Sequence, residues 1–207
     1  MTGMSFNIRN IITFFSMLSP YFITFYFIMD SAFNSHLKGV WYLFGLMWTL
    51  IFGILARGLF PDSIRKENKD ITMPYKYVSA MCQVFEGPFE TKYGRFRAPS
   101  DHAIFHFFTL AYILPNAINN PNFNGWFLLT FLLISCVMDI FFRVSVKMCE
   151  KPKHIAIGAV FGIIFGVAWY FLTKVFNEKL TYYNTVEGSE SNKRCKTSKQ
   201  KFKCTYN

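Results

Sequence analysis

Asn10 to Met29, Gly39 to Ala56 and Ile155 to Thr173 are three stretches without a single Asp, Glu, Lys or Arg. A helix of about twenty apolar residues crosses a hydrocarbon core of roughly 30 Å, so each stretch is expected to span a membrane. A longer charge-free run, Ala103 to Met138, is broken by Pro115-Asn116-Ala117-Ile118-Asn119-Asn120-Pro121-Asn122. That cluster of turn formers predicts two more spans joined by a tight hairpin. The first segment is too long and too aromatic for a cleaved signal peptide, and no small-residue cleavage pattern follows it, so it is read as a retained helix. Pro20 removes one backbone hydrogen bond near its middle, which Ser19 or neighbouring helices compensate, and a kink is expected there.

The expected fold is therefore all-α, a polytopic membrane helix bundle with about five spans at about 10–30, 39–58, 100–116, 125–143 and 154–176. Composition agrees: 52% of residues are hydrophobic, 20% aromatic and only 16% charged, far more apolar than a soluble chain of 207 residues. Residues 1–176 form the helical domain, and 177–207 read as a basic tail, polar and poor in aliphatics after Val186, hence disordered. The net charge of +10 is divided between the loop at 59–99 and the final residues. Anionic headgroups or phosphate esters account for it, and no nucleic acid is expected. Five cysteines, Cys82, Cys136, Cys149, Cys195 and Cys204, fall at no zinc or disulfide spacing, so no disulfide framework is expected, and no cofactor is expected either.

An odd number of spans puts the N-terminus, the 59–99 loop and the 144–153 connection on one face, with thirteen of the 22 Lys and Arg. The positive-inside rule makes that face cytosolic, but cations recruited to hold phosphate confound the rule, and both orientations stay open.

Chemistry concentrates at Thr91-Lys92-Tyr93-Gly94 followed by Pro99-Ser100-Asp101-His102 and Ala103-Ile104-Phe105-His106-Phe107-Phe108. A hydroxyl, an imidazole and the cations Lys76, Lys92, Arg95 and Arg97 gather at the mouth of an apolar helix, a set suited to a lipid phosphate. The tract resembles the Pro-Ser-x-His motif of the type 2 phosphatidic acid phosphatase superfamily. Thr91 to Gly94, Phe107-Phe108 and Tyr112 are most similar to its dolichyl-diphosphatase branch. The resemblance implies a lipid-phosphatase-like core and metal-independent hydrolysis of a lipid phosphate or isoprenoid diphosphate. Cations and the motif Ser cradle the phosphate in that family, the motif His protonates the leaving group, and a later His oriented by an Asp attacks phosphorus.

Carried over residue by residue, Pro99, Ser100 and His102 match the second motif, with Ser100 at a helix N-terminus where an anion is favoured. Phe142-Arg143-Val144 matches the third motif's Ser-Arg-Val opening except for the Ser, and Gly158, Gly162 and Gly166 continue as the small-residue face of the last helix, read as close helix packing. Six residues after Arg143, where the nucleophilic His is expected, stands Cys149, and its Asp is replaced by Lys153. In the register fixed by Gly158, those slots hold Glu150 and His154. His154 is the candidate nucleophile, although its five extra residues of spacing shift it by about 7.5 Å along a helix. The first motif's Lys-x6-Arg-Pro is absent as written, with Arg57 and Arg65 near its place. Phosphate ligands are thus expected from Ser100, Arg143, Arg57, Arg65, Lys92 and Arg97, with His102 and His154 as the catalytic pair. Ser100 read alone is a helix cap, Arg57 and Arg65 are ordinary flanking cations, His106 is an interhelical hydrogen-bonding residue or part of a polar pocket, and Asp139 is the partner of Arg143 at i+4.

Two functions follow. One is a lipid phosphate or isoprenoid diphosphate phosphatase. The other is an inactive structural, scaffold or lipid-binding protein of an endoplasmic-reticulum-like or viral internal membrane, favoured by the missing His and Asp. The partners implied in either case are membrane lipids.

Overall fold

A computed structural model describes residues 7–57, 98–121, 123–146, 150, 152–183, 194–198 and 201–205. Its body is helical: α1 (Ile8–Met17), α2 (Ser19–Phe33), α3 (Lys38–Ala56), α4 (Asp101–Asn119), α5 (Trp126–Phe141) and α6 (Pro152–Asn177). A π-helical turn, Phe142–Val146, extends α5, and a 3-10 turn, Glu178–Leu180, extends α6. In the basic C-terminal segment, strands β1 (Arg194–Ser198) and β2 (Lys201–Thr205) pair as an antiparallel hairpin with Arg194 opposite Thr205, where composition predicts disorder.

All five expected spans are found as helix. Three of them, Lys38–Ala56, Trp126–Ser145 and Pro152–Leu180, are long and apolar enough to cross a membrane. Asn10–Met17 and Ser19–Phe33, bent by 49°, meet the same standard as one broken span. Among the described residues, three helices are therefore long and apolar enough to cross a membrane, or four if the bent pair counts as one span, and α4 is not among them. The outward faces of α2, α3, α5 and α6 expose Phe25, Met47, Phe52, Phe131, Ile134, Ile164 and Phe171, which is compatible with an integral membrane protein.

Two boundaries differ from the sequence reading, each for a local reason. The kink expected at Pro20 is a break at Leu18: Pro20 takes one of the first two positions of α2, where a missing N–H has no intrahelical partner to lose. The hairpin expected from Pro115 onward starts later, because α4 continues through Pro115 to Asn119. Its last turn is tied down by side chains: Asn116 Nδ2 donates to Tyr182 O (2.7 Å) and Asn120 Nδ2 to Tyr183 O (3.0 Å). The same bonds hold the chain that follows α6 against the body, where Tyr182 is buried and packs edge-on against Phe27.

The core lies around α4, whose Ile104, Phe108, Tyr112 and Ile113 are fully enclosed with Phe27, Tyr42 and Leu132. Burial of this kind demands that polar groups be paired. Tyr42 Oη lies 2.6 Å from Thr109 Oγ1, which itself donates to Phe105 O (2.7 Å), so Tyr42 is the donor of that bond. Against α4 runs the glycine face of α6. A Cβ built on Gly158 would sit 2.6 Å from Ser100 O, one on Gly162 2.7 Å from Ile104 O, and one on Gly166 2.6 Å from Phe108 O. Backbone meets backbone there, which only glycine permits.

Removing the Asn116 amide tests the anchoring of the C-terminal turn. Asn116→Ala leaves the Tyr182 carbonyl without its donor and is expected to lower stability by about 1–3 kcal/mol, read as thermal unfolding in detergent, and to expose Glu178 to Tyr183 to proteolysis. Unchanged protease resistance would show that the turn is held by its aromatic packing alone.

Candidate functional site

The ends of four helices meet at one end of the bundle. Arg57, just beyond α3, pairs with Asp101 in the first turn of α4 and donates to Pro99 O at 3.3 Å. Ser100 N donates to His154 O at 3.1 Å, joining the start of α4 to the start of α6. Ser100 Oγ accepts from Ala103 N (3.3 Å) and caps α4, as its position before the helix leads one to expect. Asp101 in the first turn adds a charge that the helix dipole favours.

At the centre is Asp139, 0% exposed. Its Oδ2 accepts from His102 Nδ1 (2.9 Å) and lies 3.3 Å from His106 Nε2, while Oδ1 is 3.2 Å from Arg143 Nε. His106 Nε2 is also 3.4 Å from Ser19 Oγ, bringing the α1–α2 junction to the cluster. Arg143 extends the network outward: Nη1 donates to Glu150 Oε1 at 3.1 Å and Nη2 to His102 Nε2 at 2.5 Å. A guanidinium only donates, so His102 Nε2 accepts, and the ring's proton is on Nδ1 facing Asp139. The π-helical turn at Phe142–Val146 carries Arg143 one turn past Asp139, letting both groups face the same imidazole.

In this arrangement His102 has an oriented ring and a fixed tautomer, the preparation that a nucleophile or general acid–base imidazole requires. Its Nε2 lone pair, however, is taken by Arg143. Reaction at Nε2 first needs that guanidinium to move. Arg143 in turn faces two carboxylates and an imidazole, and it is 7% exposed.

His102 and Arg143 thus converge, with Ser100 on the adjoining turn and Arg57 at the same end. His154 is buried there, 3% exposed, with its carbonyl on Ser100 N. Both nitrogens of His102 are engaged, Nδ1 by Asp139 and Nε2 by Arg143. Arg65, Lys92 and Arg97, together with Lys76, Arg95 and Cys149, lie outside the described residues. Two participants go beyond what the sequence indicates. Asp139 pairs with Arg143 at i+4 and also anchors His102 from 37 positions away. Glu150, in sequence only a slot in a shifted register, binds the Arg143 guanidinium. The usable signal was the cost of a carboxylate in an apolar helix, which calls for more than one partner.

Among the described residues no group of three or more His, Cys, Asp or Glu has the geometry to hold a metal ion. A groove of about 470 Å³ between α3 and α6, lined by Trp48, Phe52, Phe165 and Trp169, is apolar and contains none of the cluster residues. Comparison of the chain with protein-family models, with curated proteins and with solved structures finds no match.

Proposed function

We propose that the chain is an integral membrane protein built like the lipid phosphatases of the type 2 phosphatidic acid phosphatase superfamily, that its polar cluster receives the phosphate of a membrane lipid, and that it does not hydrolyse that phosphate by a phosphohistidine route. The supporting observation is the His102, Asp139 and Arg143 cluster, with Glu150 on the guanidinium. A cation and an imidazole beside a helix N-terminus suit a phosphate. The hydrolytic route needs an imidazole free to attack phosphorus. His102 Nε2 accepts from Arg143, a carboxylate stands at Glu150, and loss of the group that forms the covalent intermediate removes the route outright.

The five-span architecture belongs to the same reading. α1 and α2 cross once as a bent pair, and α4 crosses within the bundle. Enclosed by protein on most sides, α4 carries His106, Thr109 and Asn116 at buried positions that lipid would penalise. The membrane is that of an endoplasmic-reticulum-like or viral internal compartment.

Protein purified into nanodiscs tests both halves. With isoprenoid diphosphate or phosphatidic acid and a chelator present, phosphate release is expected to stay at background. Binding to anionic lipid is expected to fall about tenfold or more in Arg143→Ala, or in Arg143→Gln if the alanine variant does not fold, because charge-assisted contacts contribute roughly 1.5–3 kcal/mol each. Lys199→Ala should change binding little, as a single charge in the tail contributes about 1 kcal/mol at most and is screened by salt. Equal losses from the two substitutions would point to a diffuse basic surface and end the pocket reading.

One observation favours the alternative of an active hydrolase: the Asp139 carboxylate on His102 Nδ1, a pairing that activates imidazoles elsewhere. Robust turnover with the chelator present, lost in both His102→Ala and His154→Ala, would make His154 the nucleophile and replace the first reading.

A further inference from the structure

Arg143 carries one positive charge, and two carboxylates already face it: Asp139 at Nε and Glu150 at Nη1. The two acids are held very differently. Asp139 is buried inside α5 and bound by His102, His106 and Arg143 together. Glu150 stands in the connection between the π-helical turn and α6, its side chain is 15% exposed, and it reaches the cluster through Oε1 alone. Its second oxygen, Oε2, is shut off from solvent and has no hydrogen-bond partner among the described residues. Breaking the Glu150 pair therefore costs one contact and releases a carboxylate that is half satisfied, whereas displacing Asp139 would take the carboxylate from two imidazoles and leave the guanidinium with Glu150 as its sole anion in the cluster.

A carboxylate on a guanidinium occupies the seat that a phosphate would take. Two carboxyl groups already share one guanidinium, so a third anion entering beside them finds no free cation in the cluster. It must replace Glu150. From this, and resting on the reading that the cluster receives a lipid phosphate, we infer that Glu150 is the specificity-determining residue of the site: it admits phosphomonoesters and turns away phosphodiesters. A diester brings one negative charge and so exchanges one monoanion for another, with no surplus to offset the released carboxylate. A phosphomonoester brings about −1.5 to −2 at neutral pH and three acceptor oxygens, and it displaces Glu150 with charge to spare. A terminal phosphate on a lipid and free inorganic phosphate share this chemistry.

The test is calorimetric titration of the full-length protein in a neutral detergent with short-chain phosphatidic acid, short-chain phosphatidylglycerol and inorganic phosphate. Wild-type protein is expected to bind phosphatidic acid about tenfold or more tightly than phosphatidylglycerol. Glu150→Gln keeps the size and hydrogen bonding of the side chain but removes its charge, and it is expected to bind phosphatidylglycerol about tenfold better than wild type. The preference between the two lipids should then shrink to about threefold or less. Glu150→Ala serves the same purpose if the glutamine variant does not fold. Displacement of bound phosphatidic acid by inorganic phosphate at equal concentration would identify free phosphate as the ligand, and displacement only in large excess would identify the lipid; either supports the site. If Glu150→Gln changes neither phosphatidylglycerol binding nor the preference, while Arg143→Gln still weakens phosphatidic acid binding, the role of Glu150 is refuted and the anion site stands. If wild-type protein binds phosphatidic acid no better than a neutral lipid, site and role fall together.

Discussion

Asp139→Ala is expected to destabilise the protein by about 3–5 kcal/mol, the range for removing one partner from a buried ionic network. The carboxylate is fully enclosed and neutralises or orients three groups: His102, His106 and Arg143. Without it, Arg143 is a buried cation with only Glu150 opposite, and both imidazoles lose their acceptor. At about 2–4 °C per kcal/mol for a chain of this size, the apparent unfolding midpoint in detergent should drop by roughly 6–20 °C. A double variant, Asp139→Ala with Arg143→Met, separates charge from packing. It should recover part of the loss, because the buried cation is removed together with the buried anion, and only Glu150 at the edge of the cluster is left without its partner. A single-variant loss below about 1 kcal/mol would mean that water or lipid headgroups already solvate the cluster, and the enclosed-network description would fail.

Gly162→Val is the second large effect expected. The added Cβ would lie 2.7 Å from Ile104 O and 2.8 Å from Phe108 N, both backbone atoms of α4, so no rotamer change relieves the contact. The two helices must separate. Overpacking costs typically 1–3 kcal/mol and occasionally more, and a backbone-to-backbone clash belongs at about 3 kcal/mol or above. The consequence reaches the polar cluster. One turn toward the N-terminus, Gly158 lies against Ser100 O, and His154 O accepts from Ser100 N, so lifting α6 from α4 pulls at the start of both helices. Ala156→Val, on the exposed side of the same helix, should stay within about 0.5 kcal/mol of wild type. Equal effects from the two valines would show that α6 does not use its glycine face to pack.

Helices were the legible part of the fold because a charge-free run of about twenty residues is a local property, readable without neighbours. α3, α5 and α6 begin and end within a few residues of the expected limits. Helix ends were less legible where partners distant in sequence decide them. Pro115 and the asparagines around it look like a turn, yet Asn116 and Asn120 bond to carbonyls 66 and 63 positions away, and that anchoring carries α4 on to Asn119. Position also decided the effect of Pro20, which disrupts a helix interior but starts a helix without cost.

The sequence by itself determined an apolar, helical body and a glycine face at a spacing of four. Patterns repeating every few residues encode these features. Only the tertiary structure decided which charges oppose one another. His102 meets Asp139 across 37 positions, His106 meets Ser19 across 87, and Glu150 occupies the guanidinium of Arg143. Coulomb and hydrogen-bond energies depend on separations of a few ångströms, and between residues on different helices that separation is set by packing, which no local pattern specifies.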